Sequence, residues 1–249
     1  MRFAETTIKR TKEGVDVMQE QLIVDARFNG PPDSGNGGYV CGLVANFIEG
    51  TAEITLRQPP PLNKPMQLVP QNGHLHLMDD ELLVASGKAA TLSLDIPAMP
   101  TMVEAETAVS QYTGFQDHIF PTCFVCGPER HEHDGLRIFT GVVDGRHLVA
   151  APWETDHTLA GDNGSVQPEF IWSALDCPGA FAVMMEGLSP IVLGRLTATI
   201  THLPQAGQRC IVIGWPLGKD GRKHFAGTAV FTETGELCGK GQAVWIELE

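Results

Sequence analysis

GNGGYVCGLVANFIEG, residues 35–50, and QPEFIWSALDCPGAFAVMMEG, residues 167–187, are the two stretches whose reading decides the fold. Each opens on a glycine or proline start and then runs through apolar side chains too dense for a helix with one face in water. Each is therefore read as a helix buried on most sides. Gly50 is a plausible C-terminal stop for the first, while Pro168 suits the first turn of the second, which ends near Gly187. After each helix comes a strand, a proline-containing turn and another strand: AEITLRQPPPLNKPMQLV (52–69) in one half, RLTATITHLPQAGQRCIVIG (195–214) in the other. LLVASGKAATLSLDI (82–96) then corresponds to KHFAGTAVFTETGELCGKGQAVWIEL (223–248), read as long antiparallel strands from their Val, Thr, Ala and aromatic content. Residues 97–121 carry no clean periodicity and are read as the linker. A helix and several antiparallel strands, twice over, make an α+β protein with repeats at residues 1–105 and 106–249.

The 249 residues are 43% hydrophobic and 19% charged, ordinary values for a globular chain with a sizeable core. Seventeen Lys and Arg against thirty Asp and Glu give a formal net charge of −13. That balance argues against general binding to nucleic acid or anionic membranes, both of which need basic surface. No long apolar run is free of breakers or charges, and MRFAETTIKRTKEG at the N-terminus lacks the apolar stretch of a signal peptide. A cytoplasmic setting is the expectation.

Between Phe170 and Met185, Asp176 is the only side chain expected to carry a charge at neutral pH. A lone carboxylate in apolar surroundings must find hydrogen-bond partners, meet a cation or take up a proton. Such groups cluster at functional sites, although a buried Asp satisfied by backbone N–H groups is an equally simple reading. Pro178 removes the hydrogen bond to the carbonyl of Ala174, so a bend is expected there, which either presents Asp176 to a cavity or fits the helix to a curved sheet.

The six cysteines are few and scattered, as expected of reduced residues used as small apolar fillers. Cys123 and Cys126 are the exception, since His131 and His133 follow in CFVCGPERHEH, and these are ligand types that zinc prefers. The His-x-His end is tighter than usual zinc spacing and no second Cys-x-x-Cys knuckle exists. A plain turn ahead of a strand is the favoured reading, and neither a metal nor a cofactor is assigned.

Taken together, the pattern resembles a tandem double hotdog of the acyl-CoA thioesterase superfamily, in which a long antiparallel sheet wraps a buried helix. Asn36-Gly37-Gly38 resembles the His-Gly-Gly or Asn-Gly-Gly start of the hotdog helix in thioesterases of the phenylacetate-pathway type. ALDCPGAFA (174–182) resembles the segment where that family carries its catalytic acid. CFVCG with Gly135 and Leu136 resembles a loop and strand ahead of the helix in related sequences, with His131 to Asp134 standing where Asn-Pro is usual. In single-domain members the acid lies seven residues after the second glycine. Seven after Gly38 is Ala45, and seven before Asp176 is Glu169, so each half keeps one component and has lost the other. The resemblance implies one complete site, glycines from the first helix and acid from the second, and one dead site.

That site implies hydrolysis of an acyl-CoA or related thioester. The N–H of Gly38, reinforced by the positive end of the helix, is the expected oxyanion donor, and Gly37 lets substrate approach the backbone. Asp176 would act as general base or as nucleophile, with Asn36 orienting water or carbonyl. Cys177 is a rival nucleophile, but adjacent helical residues point about 100° apart, so it is read as packing. Tyr39, Phe170 and Trp172 are candidates to line the acyl pocket, and Arg222, Lys223, Arg57 and Lys64 are candidates to meet phosphates of coenzyme A. His74 and His76 share a strand face read as solvated. A homodimer is expected from sheet edges that need covering. The alternatives are a non-catalytic acyl-ligand binding protein of the same fold and, with no convincing Asp and His pair to support it, a hydratase.

Overall fold

The computed structural model describes residues 4–10, 16–185 and 190–248. Among the described residues, twelve antiparallel strands form one sheet around two buried helical segments. The first repeat contributes β1 (Ala4–Arg10), β2 (Asp16–Ile23), α1 (Gly37–Ala45), β3 (Ala52–Leu56), β4 (Pro65–Gln71), β5 (His74–Asp79) and β6 (Leu82–Ala89). A linker helix, α2 (Met102–Ala108), follows. The second repeat contributes β7 (Gly141–Val142), β8 (Val149–Glu154), α3 (Pro168–Ala174), α4 (Cys177–Met184), β9 (Ile191–Ile200), β10 (Arg209–Asp220), β11 (Lys223–Thr232) and β12 (Leu237–Glu247).

The sheet order is β1-β2-β4-β5-β6-β3-β9-β12-β11-β10-β8-β7, so the two halves mirror one another about a seam between β3 and β9. Ala52 faces Ala198 there, and Ile54 faces Leu196. All four of these side chains are fully buried, so the seam belongs to the core that surrounds the helices. The duplication extends to detail. Asp25 and Asp156 each accept the N–H two residues ahead, at 2.8 and 2.7 Å, and each starts a short helical turn. The bridges Asn29–Gly35 and Ala160–Val166 then lead into α1 and α3. Asp25 and Asp156, Gly38 and Glu169, and Ala45 and Asp176 all stand at one constant separation in the chain.

Strands precede each helix as well as follow it; the sequence reading anticipated one only ahead of the second helix, at Gly135 and Leu136, whereas β7 begins at Gly141. Pro152 hides β8, because proline is out of place in the middle of a sheet. Here β7 covers only Val149 and Ala150, so the missing N–H of Pro152 lies beyond the outer partner. Pro70 in β4 likewise lies beyond Leu68, the last β4 residue that pairs with β2.

The linker is not featureless. α2 carries a capping box between Thr101 and Glu104, straddles residues 105 and 106, and packs on the second repeat's sheet. Cys210, Val212 and Val230 join the core around the central helices, while Ile211, Ile213 and Ala229 from the same strands join the cluster under α2. The stretch after Ala89, expected to continue as strand, is irregular and places Leu94 and Ile96 against this cluster. No helix among the described residues is long and apolar enough to cross a membrane.

α1 and α3 lie side by side and antiparallel, and their contact has no room for a Cβ. One built on Gly38 would stand 2.5 Å from Asp176 Cβ and 2.7 Å from the Trp172 carbonyl oxygen, and one on Gly42 would stand 2.6 Å from Glu169 Cα. Helix α1 ends at Asn46, earlier than Gly50, which turns the chain toward β3 with φ +74. The apposition yields a test independent of function. Gly42→Ala must push the helices apart against backbone and should cost about 1–3 kcal/mol, as overpacking does. A urea midpoint equal to or above that of the unsubstituted chain would show that the helices do not abut at Gly42.

Candidate active site

The second buried segment is two helices, not one bent helix. α3 stops at Ala174, and Asp176 takes φ −82 and ψ −85, outside the helical region. α4 restarts at Cys177 with Pro178 in its first turn, where no N–H is required. Thr228 on β11 donates its hydroxyl to the Leu175 carbonyl at 2.8 Å, satisfying an acceptor that the break exposes. A Cβ on Gly214 of β10 would meet the Pro178 carbonyl oxygen at 2.3 Å, so the sheet and α4 are in backbone contact there.

The break delivers Asp176 to the tip of α1. Its Oδ2 accepts from the N–H of Gly38 at 2.9 Å and from Nδ2 of Asn36 at 2.9 Å. Asn36 is also the N-cap of α1, its Oδ1 accepting from the N–H of Tyr39 at 2.9 Å. Asp176 is 2% exposed, and its Oδ1 is buried without a hydrogen-bond partner. Burial pushes the carboxyl up to about 7, against the Gly38 N–H, which pulls it down; the charge at Cys123 pushes it further up, and the Asn36 amide opposes. The structure thus brings Asn36, Gly38 and Asp176 together across the two repeats.

Asp176, Asn36 and Gly37 lie on the wall of a cavity of about 400 Å³. Leu56, Leu193, Phe181, Met184 and Trp245 supply apolar wall, and Arg57 is the one Lys or Arg among the lining residues. The N–H of Gly37, at the first position of α1, has no acceptor among the described residues. The N–H of Gly38 is held by Asp176.

Other expected residues sit elsewhere. Tyr39 stacks on Phe28 at 4.2 Å between ring centroids, and Trp172 packs against Gly38 and Gly42, so both belong to the core and not to the cavity wall. Burial holds the Tyr39 hydroxyl far above its ordinary pKa, helped by the nearby Glu169 and Asp25 carboxylates. Arg222 and Lys223 are exposed at the β10–β11 hairpin, with Lys223 paired in the sheet to Ile246, a cavity residue. Lys64 is engaged by Asp79 and Asp80. His74 is exposed, as read, and its ring meets the Ser86 hydroxyl.

Cys177 lines the same cavity as Asp176. The 100° relation expected of adjacent helical residues fails because the chain leaves the helix at Asp176. Hydrogen bonds with Cys123 and Cys126, together with burial, hold the Cys177 thiol well above its ordinary value, so it is a poor nucleophile. His131 and His133 do not join Cys123 and Cys126: both are exposed, and His133 pairs with Asp156. Residues missed in the sequence are His118, Phe120 and Phe181, which close the cavity from the linker and α4.

The pseudosymmetric position on the other side is filled. Glu169, where the second repeat lacks its glycine, is buried and accepts from Nδ2 of Asn46 at 3.0 Å, one residue past Ala45.

The double duty of Asn36 can be separated by substitution. Asn36→Ala should lose about 0.5–2 kcal/mol with the cap, whereas Asn36→Ser retains a capping oxygen and should stay within a few tenths of the unsubstituted chain. Equal losses in the two variants, read from urea midpoints, would place the cost on the bond to Asp176 instead of the cap.

No family model matches the sequence, and no curated protein does. Solved structures do match in shape. A "putative thioesterase" from Novosphingobium aromaticivorans superposes with a TM-score of 0.60 at 11% identity, over 93% of this chain and 96% of that one. A tesB protein from Mycobacterium avium subs. paratuberculosis gives 0.59 at 11%, over 93% of each chain. A "putative thioesterase II" from Thermobifida fusca gives 0.59 at 10%, over 99% of this chain and 96% of that one. The likeness covers nearly the whole chain and so takes in both repeats, and on those grounds the chain has the double hotdog fold.

Proposed function

We propose that this chain hydrolyses a thioester of the acyl-CoA class at the site formed where α1 and the α3–α4 break meet. The observation that carries this reading is the buried carboxylate of Asp176, bonded to the tip of a helix from the other repeat at the wall of an apolar cavity. Asn36 and Gly38 hold Oδ2 and leave Oδ1 as the oxygen without a partner. As general base, Oδ1 takes a proton from water as the water oxygen attacks the thioester carbonyl, and collapse of the tetrahedral adduct breaks the C–S bond and passes that proton to the departing thiol; as nucleophile, it attacks that carbonyl itself, the C–S bond breaks to release the thiolate, and water then hydrolyses the resulting mixed anhydride. Charge developing on the carbonyl oxygen needs a donor. With the N–H of Gly38 committed to Asp176, the free N–H of Gly37 at the positive end of α1 takes that role, and Gly38 acts by positioning the acid. The apolar wall suits an acyl group, and Arg57 is placed to meet an anionic part of the substrate.

A second reading draws on the same bond. Because the Gly38 N–H is occupied, the cavity could serve an acyl-ligand binding protein that performs no turnover. Thiol release from a panel of acyl-CoA substrates separates the two. Asp176→Asn should reduce hydrolysis about 10²- to 10⁴-fold, the usual contribution of a positioned base, with circular dichroism and unfolding midpoint preserved. Hydrolysis that persists in this variant would remove Asp176 from the chemistry, and tight binding with no thiol released by the unsubstituted chain would establish the binding protein. Assembly as a homodimer and a cytoplasmic setting belong to the same proposal, the first read out by light scattering.

A further inference from the structure

Three thiols from two distant parts of the chain converge on the cavity wall beside Asp176. Cys123, Cys126 and Cys177 are buried, with their sulfur atoms all within 4.8 Å of one another. The sulfurs of Cys123 and Cys177 are 3.8 Å apart. In a tetrahedral zinc centre with Zn–S bonds of about 2.3 Å, the sulfurs stand about 3.8 Å from each other. The surroundings also suit a metal thiolate. Nδ2 of Asn36 donates toward the Cys123 sulfur at 3.9 Å. The Cys-x-x-Cys turn is closed by the Gly127 N–H on the Cys123 carbonyl at 2.9 Å and anchored by the Tyr112 hydroxyl on the Cys126 carbonyl at 2.6 Å. Asp176, next to Cys177 in the chain, lines the same cavity, and its buried Oδ1 has no partner. His118 is not the fourth ligand, since its Nδ1 accepts the Phe120 N–H at 2.9 Å and the neutral ring then carries its proton on Nε2.

We infer that Cys123, Cys126 and Cys177 form a three-sulfur site for zinc, with the fourth position left to water or another small ligand from the cavity that the three residues line. Thiolate donors in tetrahedral array select zinc over the harder divalent cations, and binding expels the thiol protons. The ion would tie the loop ahead of β7 to the start of α4, the two elements that frame the acid. Nothing in this inference depends on hydrolysis.

Cobalt(II) is the probe. The full chain, reduced and stripped with a chelator, should take up one equivalent with a thiolate-to-cobalt charge-transfer band and the visible bands of a tetrahedral site, both displaced by Zn²⁺. The bands should be lost in Cys123→Ala and in Cys177→Ala, and kept in Cys41→Ala, whose thiol lies outside the cluster. X-ray absorption of the zinc-loaded, unsubstituted chain needs no variant to fold, and should show three sulfur scatterers at about 2.3 Å. A shell of nitrogen and oxygen only, bands that survive loss of Cys123 or Cys177, or no cobalt uptake by the reduced chain would each overturn the site.

Discussion

The close apposition of α1 and α3 is the constraint on which the rest depends. Two helices can approach until backbone meets backbone only where one of them has no side chain, and Gly38 and Gly42 supply that at successive turns. The approach brings the α1 tip within hydrogen-bond reach of residue 176. A buried carboxylate loses hydration worth several kcal/mol, and the N–H of Gly38 with the amide of Asn36 offsets part of that loss. A side chain at position 38 would remove the donor's access and the space together. Packing and site are therefore one interaction seen twice.

Duplication within one chain is what lets the two sides differ. In an arrangement built from identical halves, glycine and acid would have to coexist on every helix. Here Glu169 occupies the position matching Gly38, and Ala45 the position matching Asp176. The Glu169 carboxylate is taken up by Asn46, so the side without an acid is closed by a polar contact that needs no ligand. The continuous sheet through β3 and β9 fixes the relative placement of the helices, because its register sets which residues of α1 and α3 come level.

Much of this was legible in the sequence. Asp176 stood out because a single charge in an apolar run demands an explanation, and its partnership with Gly38 was implied by the resemblance to thioesterases whose acid lies seven residues after the second glycine. What could not be read were properties of tertiary contact. Tyr39 and Trp172 look the same on paper whether they line a cavity or fill a core; Phe28 and the glycines of α1 decide for the core. Pro178 announced a discontinuity, but its position depends on Thr228 and Gly214, strand residues remote in the chain. The true companion of Cys123 and Cys126 was hidden for the same reason, since local spacing offered His131 and His133 and only the fold supplies Cys177.

The break at Asp176 links these features. Had the segment stayed helical, Asp176 and Cys177 would diverge by about 100°, and at most one would reach the cavity. Because Asp176 sits between helices, both residues line it, one turned to the α1 tip and the other to the Cys123 loop. The carboxylate is held by the first repeat through Asn36 and Gly38, while the thiol next to it in the chain meets Cys123 ahead of β7. Asn36 touches both arms, donating to Asp176 Oδ2 and standing at 3.9 Å from the Cys123 sulfur. A shift of that one amide would loosen the cap of α1, release the acid and alter the field at the thiols together, so the polar atoms of this apolar cavity behave as a single unit and not as separable contacts.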